Sequence, residues 1–276
     1  MVNKLSTERR GQIIACLVEG MSIRATVRVT GAAKNTVTKL LVDMGQACAE
    51  YQNQALRDLT LSTIQCDEIW SFCYAKQKNV PEEFKGTPGY GDVWTWVAID
   101  ADTKLVPSWL VGERTLHDAY TFVNDLGSRL KGRFQITTDG LNLYLNTIDA
   151  LLGERVDYAI LHKLYGEADN ERRYSPAKCI GVEGRPVIGK PDPDKISTFY
   201  VERQNLTMRM GMRRFTRLTN GFSKKIENLA HAVSLHYMHY NFARPHKSLG
   251  KGVTPAMAAG IATHRWTVWD IAELID

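Results

Sequence analysis

The chain has 276 residues, of which 44% are hydrophobic and 24% charged, and its formal net charge is +5. This composition is typical of a soluble globular protein, and the length suits one large domain with a small one. No apolar run approaches transmembrane length and no signal-peptide pattern is present, so we expect a cytoplasmic location and no membrane partner. The five cysteines are widely spread without a C-x-x-C pair, which argues against a disulfide framework and a zinc knuckle.

Positive charge is concentrated in two stretches of the chain. Residues 1–42 hold seven lysines and arginines against two acids, and residues 203–225 hold seven with no acid. A merely solvated face normally mixes both signs, whereas two separated basic zones suggest two contacts with a polyanion. The sequence therefore predicts a nucleic acid as the partner.

The first fifty residues predict three short helices. The first ends at Gly20, the second is capped by Ser22 and ends at Gly31, and the third covers 33–44. A glycine in a short turn before a polar-faced helix is typical of a helix-turn-helix, although a generic three-helix bundle stays open. The third helix turns outward the side chains that we expect to contact DNA, which are Lys34, Asn35, Thr36, Thr38 and Lys39.

The middle of the chain predicts a sheet with helices on its faces. Strand patterns and helical patterns follow one another in an order typical of an α/β fold. The predicted strands are 63–71, 92–99, 105–111, 134–138 and 158–161, and the predicted helices between them are 117–130 and 143–152.

The sequence also suggests domain boundaries. Residues 165–195 hold four prolines and several glycines, so we expect a surface loop or insertion there. Residues 45–60 look like a helical linker, and the predicted units are a helix-turn-helix domain at 1–50, a linker at 51–60, a catalytic domain at 61–250 and a C-terminal tail at 251–276.

Three acidic residues carry the chemical signal. Asp67 in IQCDEIW and Asp139 in FQITTDG lie in or directly after apolar strand-like runs, and Glu202 in TFYVERQN lies in a helical stretch. A lone carboxylate at such a position is costly to desolvate unless positive charge accompanies it. A divalent metal pair supplies that charge and is also what in-line attack on a phosphodiester requires. The pattern indicates metal-dependent phosphoryl transfer.

Strand periodicity leaves the first ligand open. Residues two apart share a strand face, so Gln65 and Asp67 lie on one face while Cys66 and Glu68 lie on the other. Either acid could therefore be the ligand. Asp139 followed by glycine would, by itself, be an ordinary turn.

Four stretches resemble a known family. They are QCDEIWSF, TTDG, STFYVERQNLTMRMGMRRFTRLTNGFSKK and HYMHYNFARPHKSLGKGVTPAMAAG, within about residues 60–260. The chain resembles the DDE transposases of bacterial insertion sequences, in the RNase H-like (retroviral-integrase-like) superfamily, and looks closest to the insertion-sequence-one group. The resemblance implies an α/β fold, an RNase H-like mixed sheet flanked by helices, preceded by a small all-α helix-turn-helix domain. It favours Asp67 over Glu68 as first ligand.

The function implied by the resemblance is DNA transposition. Asp67, Asp139 and Glu202 would hold two Mg²⁺ or Mn²⁺ ions for phosphodiester hydrolysis at transposon ends and for strand transfer of the 3′-hydroxyl into target DNA. No nucleotide cofactor is implied. The implied partners are double-stranded DNA, as terminal repeats and target, and further copies of the chain in a dimer or larger homo-oligomer on DNA. The implied setting is a bacterial nucleoid.

The C-terminal third of the chain supplies further predicted DNA contacts. Some belong to the polar, basic stretch after Glu202, and two match the Arg-Pro-His segment of the family. The residues are Asn205, Arg209, Arg213, Arg214, Lys224, Lys225, Arg244 and His246. Unlike some members, this chain has no N-terminal zinc-finger cysteines, so recognition of the DNA ends would fall to the helix-turn-helix.

Two other functions compete with this interpretation. A non-catalytic DNA-binding regulator derived from a transposase would use the helix-turn-helix alone, but the presence of all three acids argues against it. A simple RNase H or Holliday-type nuclease would not need the N-terminal helices.

Overall fold

The protein is described by a computed structural model that covers residues 5–165, 179–216 and 220–276. Its helices and strands follow one another from a helical N-terminal part into an α/β body. The strands are β1 (Thr63–Cys73), β2 (Gly91–Asp100), β3 (Ser108–Gly112), β4 (Phe134–Thr138), β5 (Val156–Tyr165) and β6 (Cys179–Ile188). The helices are α1 (Thr7–Val18), α2 (Ile23–Thr30), α3 (Lys34–Ala55), α4 (Leu116–Arg129), α5 (Asn142–Leu152), α6 (Phe199–Gly211), α7 (Ile226–Met238), α8 (Pro255–Ala258) and α9 (Val268–Glu273).

The strands form a six-stranded mixed sheet in the order β3-β2-β1-β4-β5-β6. The first three strands are antiparallel neighbours joined as a meander, and β4 and β5 then add parallel to β1. The parallel steps require crossovers, which α4 and α5 supply, and β6 returns antiparallel to β5. A mixed sheet of this order flanked by helices is consistent with an RNase H-like fold. Among the described residues, no helix is both long and apolar enough to cross a membrane.

The turn between α2 and α3 forms where the sequence predicts it. The hydroxyl of Ser22 accepts from the N–H of Ala25 at 3.1 Å and caps α2. Gly31 ends the helix at φ +67°, in the left-handed region that glycine adopts without strain. Val37 and Leu40 are buried on the inner side of α3, as their spacing predicts.

The helix α3 is longer than the predicted helix at 33–44 and extends into the predicted linker. It has 22 residues and ends at Ala55, so it runs on through the first part of the stretch 45–60 that the sequence predicts as a helical linker. The buried stripe of the helix continues at helical spacing through Met44 and Cys48, which gives the chain no reason to stop earlier. Further along, the side-chain amide of Gln52 donates to the carbonyl of Ser234 in α7 at 3.2 Å.

The predicted C-terminal tail at 251–276 contains α8 and α9 and packs against the rest of the fold. Ile271 and Ala272 of α9 are buried, and α9 packs against α1. The indole ring of Trp269 covers Gly11, and the guanidinium of Arg10 pairs with the carboxylate of Asp276. The C-terminal helix α9 therefore packs over the N-terminal helix α1, because this contact buries apolar side chains of both helices.

Part of the predicted loop or insertion at 165–195 is a strand. Residues 179–188 form β6, while 166–178 lie outside the described residues. The prolines in this stretch obscure the alternating pattern that predicts a strand. The β5–β6 register is irregular next to Pro186, which has no backbone N–H to donate to a neighbouring strand. After β6 the chain is anchored at Asp192, whose backbone N–H and carbonyl both bond to the side chain of Gln135.

Gly45 allows α3 and α7 to pack closely, so we expect Gly45→Ala to destabilise the protein. A Cβ there would lie 2.4 Å from Cβ and 2.6 Å from Cα of His231, and backbone cannot move aside as a side chain can. Although alanine favours helix, the overpacking should lower the free energy of unfolding by about 1–3 kcal/mol. Urea unfolding followed by tryptophan fluorescence measures the change.

Gly127→Ala in α4 is the matched control. Its added Cβ would meet only Cδ2 of Leu152, the flexible end of a side chain, at the same 2.4 Å. We expect a smaller loss than at Gly45. Equal losses at the two glycines would show that the contact between α3 and α7 is not a tight constraint.

Candidate metal centre

The parallel pairing of β1 with β4 brings the first two acids together. Cys66 lies opposite Thr138 in the register of the two strands, so the next residues, Asp67 and Asp139, lie side by side. β4 ends at Thr138, which opens the sheet at this point. Crevices at the carboxyl ends of parallel strands are where α/β sheets place their ligands.

The carboxylate of Asp67 is held from two sides. One oxygen accepts from the backbone N–H of Glu68 at 2.8 Å, and the other accepts from the side-chain amide of Asn205 at 2.9 Å. Burial raises the pKa of Asp67 to about 6, the nearby carboxylates of Asp139 and Glu202 add to the rise, and the two hydrogen bonds oppose it. The surroundings of Asp67 therefore disfavour the charged form of its carboxyl group.

Asp139 lies in a tight turn against β5. One of its carboxylate oxygens accepts from the backbone N–H of Leu141 at 3.0 Å, which fixes the turn. The imidazole of His162 lies over Gly140, where an added Cβ would be 3.0 Å from its Cε1. A side chain larger than hydrogen at Gly140 would therefore push His162 away from the crevice.

Helix α6 carries Glu202 to the same crevice. The side-chain carbonyl of Gln65 in β1 accepts from the backbone N–H groups of Tyr200 at 2.8 Å and Val201 at 3.2 Å, which ties the start of α6 to the strand. The carboxylate of Glu202 accepts from the hydroxyl of Thr198 and pairs with the ammonium of Lys163 in β5. In this arrangement a lysine neutralises the third acid.

These residues line one open cavity of about 370 Å³. Its lining is strongly polar and contains all three predicted acids. The lining residues are Asp67, Asp139, Gly140, Leu161, His162, Lys163, Thr198 and Glu202.

A fourth acid, Glu68, lies close to the first two. Oxygens of Asp67, Glu68 and Asp139 all lie within 4.8 Å of one another, whereas Glu202 is outside that closest group. Glu68 is buried and accepts from the guanidinium of Arg114 at 2.9 and 3.2 Å. Burial raises its pKa to about 7, with Asp139 and Asp67 adding to the rise. The structure therefore keeps both acids of the Asp-Glu pair near the cavity.

The donor set fits a hard divalent cation. Carboxylate oxygens are the ligands that Mg²⁺ and Mn²⁺ prefer, and their mutual repulsion is relieved when a cation binds between them. Asp67 and Asp139 would hold such an ion, with Glu68 or Glu202 next to them. The geometry of the side chains supports a cation site without fixing the identity or the number of the ions.

The predicted DNA contacts are mostly on the surface. Lys34, Asn35 and Lys39 are exposed on α3, and Thr36 and Thr38 are half-buried beside them. In the second basic zone and beyond it, the exposed residues are Arg213, Lys224, Lys225 and Arg244. His246 is half-buried, and burial together with Lys104, Arg244 and Arg203 lowers its pKa, so it lies among cations.

Three of the predicted DNA contacts form hydrogen bonds within the protein. Asn205 is buried and bonds to Asp67, because the polar stripe of α6 faces β1 and not the solvent. Arg214 turns inward to the hydroxyl of Ser223 at 2.5 Å, and burial lowers its pKa. Arg209 is half-buried and donates to the carbonyl of Phe215 at 2.9 Å. These three side chains hold α6 and the turn that follows it.

Sequence reasoning missed several residues of the site. Gln65 and Thr198 position α6 and Glu202, and Lys163 neutralises the latter. His162 and Lys163 could have been found by extending the predicted strand beyond 161, since β5 runs parallel to β4 and ends at the same edge. Nothing in the sequence pattern singles out Gln65 or Arg114.

Comparisons with known proteins show little beyond this geometry. No family model and no curated protein matches the chain. Among solved structures, piggyBac transposase, in a cryo-EM structure of its synaptic complex with hairpin DNA, aligns with 92% of this chain and 69% of that chain. The sequence identity is 11% and the TM-score is 0.40. A likeness at this TM-score establishes neither a fold family nor an activity for this chain. The proposed function is therefore argued from the geometry of the site alone.

Asp67→Asn should stabilise the metal-free protein at neutral pH. A carboxyl pKa raised to about 6 means that the folded state holds this proton more tightly than the unfolded chain. Its stabilising effect is therefore present at acidic pH and lost as pH rises through about 6. In EDTA, we expect Asp67→Asn to raise the free energy of unfolding by about 1–3 kcal/mol near pH 7.5 and to change it little near pH 4.

The measurement is urea unfolding at both pH values, with Asp149→Asn as a control at an exposed acid of α5. The same variant should lose affinity for Mn²⁺ in a calorimetric titration. A variant that is no more stable than the parent near pH 7.5 would show that the Asp67 carboxylate is not destabilised by its surroundings.

Proposed function

We propose that this protein is a DNA transposase that hydrolyses a phosphodiester at the ends of its element and transfers the resulting 3′-hydroxyl to target DNA. One observation carries the proposal. Asp67, Asp139 and Glu202, which lie far apart in sequence, line a single open cavity where β4 ends beside the middle of β1. This is the arrangement that metal-assisted phosphoryl transfer requires.

The cleavage step balances as a hydrolysis. The oxygen of a water molecule forms a bond to phosphorus, and the bond from phosphorus to the 3′ oxygen breaks, leaving a 3′-hydroxyl and a 5′-phosphate. In strand transfer, the 3′-hydroxyl replaces the water and a target 3′ oxygen is the leaving group. Bound divalent ions would activate the attacking oxygen and offset the charge on the leaving oxygen.

In this proposal, neighbouring residues orient the carboxylates and balance their charge. Asn205 and the N–H of Glu68 hold Asp67 toward Asp139. Lys163 neutralises Glu202. When Glu202 binds a metal ion, that ion would replace the ammonium group of Lys163 as the partner of the carboxylate. The site therefore needs no rearrangement of the sheet to become active, only a change of partner at Glu202.

DNA binding is assigned to two surfaces. The exposed face of α3 follows a helix–turn–helix connection and presents polar side chains suited to base edges and phosphates. The second surface contains Arg213, Lys224 and Lys225, which are exposed after α6. Because α6 also carries Glu202, backbone contacts there would hold the scissile phosphate near the acids.

Removing any one acid of the proposed triad should abolish cleavage and strand transfer while sparing DNA binding. Asp67→Asn, Asp139→Asn and Glu202→Gln each keep shape but remove a charge that holds the cation. The test is an assay on DNA carrying the ends of the element, with Mg²⁺, Mn²⁺ or Ca²⁺, alongside a binding measurement in EDTA. Activity should appear with Mg²⁺ or Mn²⁺ and not with Ca²⁺, whose looser coordination suits in-line attack poorly.

Asp149→Asn serves again as the charge control and should remain active. Full activity of the Asp139 variant would show that this carboxylate is not required for catalysis. A wild-type protein that binds the DNA ends but cuts nothing with any of these ions would favour the non-catalytic regulator.

Neutralising exposed cations of the second surface should weaken DNA binding alike on all sequences. For Arg213→Gln and Lys224→Gln we expect the slope of log affinity against log salt to flatten by about one unit for each phosphate that the protein no longer neutralises. Fluorescence anisotropy over a salt series measures the slope. Lys131→Gln, at an exposed lysine paired with Asp58, is the control and should leave it unchanged.

A further inference from the structure

The strand β6 leaves one edge of the sheet open. It is the last strand of the sheet and pairs only with β5 on its inner side. Within the described part of the chain, no backbone group bonds to its outer edge. A ten-residue open edge presents a row of N–H and C=O groups that can pair with another strand, and native proteins normally cover or blunt such an edge.

The first half of this strand carries exposed apolar side chains. Ile180 is 67% exposed and Val182 is 60% exposed, and Leu164 on the neighbouring β5 is 48% exposed. At the other end of the strand, Val187 and Ile188 pack partly against the core. Exposed β-branched residues on an unpaired strand edge are typical of an interface that is covered in the assembled protein.

The sequence of β6 is complementary to itself about Gly184. If two copies pair antiparallel with Gly184 opposite Gly184, then Glu183 of each copy lies opposite Arg185 of the other. The same register places Ile180 opposite Ile188 and Val182 opposite Pro186. Neither Glu183 nor Arg185 forms an ion pair within the described part of its own chain.

We propose that two copies of this chain associate through β6, which pairs antiparallel with β6 of the second copy about a two-fold axis at Gly184. Main-chain hydrogen bonds and burial of Ile180 and Val182 hold the pair together. The two Glu183–Arg185 pairs contribute little affinity at an exposed edge, but they fix the register. Because Pro186 has no backbone N–H, it removes at most one main-chain hydrogen bond per copy from the pairing.

A second copy fits this edge better than DNA does. The opposite charges of Glu183 and Arg185 balance, so the edge offers no net attraction to a phosphate backbone. A strand that is complementary to itself also gives a closed two-fold pair, in which each copy uses the same residues. Because β5 carries His162 and Lys163 of the candidate metal centre, the pairing would place two such centres on one continuous sheet.

The test uses charge reversal in the full-length protein without DNA, so that it is independent of the proposed catalysis. Glu183→Arg places arginine opposite arginine across the axis, and Arg185→Glu places glutamate opposite glutamate. Each variant alone should dimerise roughly tenfold or more weakly than wild type, because like charges face each other at close range. Light scattering after size exclusion and sedimentation equilibrium measure the dissociation constant.

Mixing the two variants provides the decisive measurement. One copy then offers two arginines and the other two glutamates, so an equimolar mixture should form a heterodimer with about wild-type affinity. The double variant Glu183→Arg/Arg185→Glu should likewise dimerise as wild type does. Neither rescue can occur if the single variants merely fail to fold. Arg265→Glu, the same reversal at an exposed arginine near the C-terminus, should have no effect.

Three outcomes would overturn the proposal. The first is a wild-type protein that stays monomeric at the highest concentration reached. The second is a dimer that neither single reversal weakens, which would place the interface elsewhere. The third is a mixture of the two variants that stays monomeric while wild type dimerises.

Discussion

Repulsion between the Asp67 and Asp139 carboxylates is the interaction on which the rest of the site depends. The parallel register of β1 and β4 brings the two side chains together, and burial makes the charge of Asp67 more costly. The polar contacts of Asp67 offset part of this cost, from the amide of Asn205 to the N–H of Glu68. A group of carboxylates of this kind could hold a cation, which would relieve the repulsion between them.

The second constraint is the anchoring of α6. Gln65 and Asp67 share one face of β1, and both bond to this helix, the first at its start and the second through Asn205. Glu202 is therefore placed by a strand that also carries the first acid. The pairing of Glu202 with Lys163 on β5 adds a third strand to the same frame. Three neighbouring strands and one helix thus define the cavity.

The sequence predicted the strand pattern well, and with it the position of the acids. The bounds of β4 match the prediction, and the element order places Asp67 beside Asp139 once β1 and β4 are parallel. Periodicity predicts a polar stripe on α6 but not the partner that this stripe faces, so the bond from Asn205 to the carboxylate of Asp67 in β1 is not visible in the sequence. For a related reason, the sequence predicts a helix to 44 followed by a helical linker, whereas α3 continues as one helix to Ala55. Its partner α7 lies far away in sequence, and the burial that continues the helix is visible only once both are packed.

The fit of Gly45 against His231 also bears on how the protein could hold DNA. A helix of 22 residues is about 33 Å long, and the tight contact at Gly45 lies near its middle. Because no larger side chain separates the two backbones there, α3 and α7 are expected to move as one unit. If α3 contacts DNA as we propose, the bases at its N-terminal half would be held in a fixed position relative to α7.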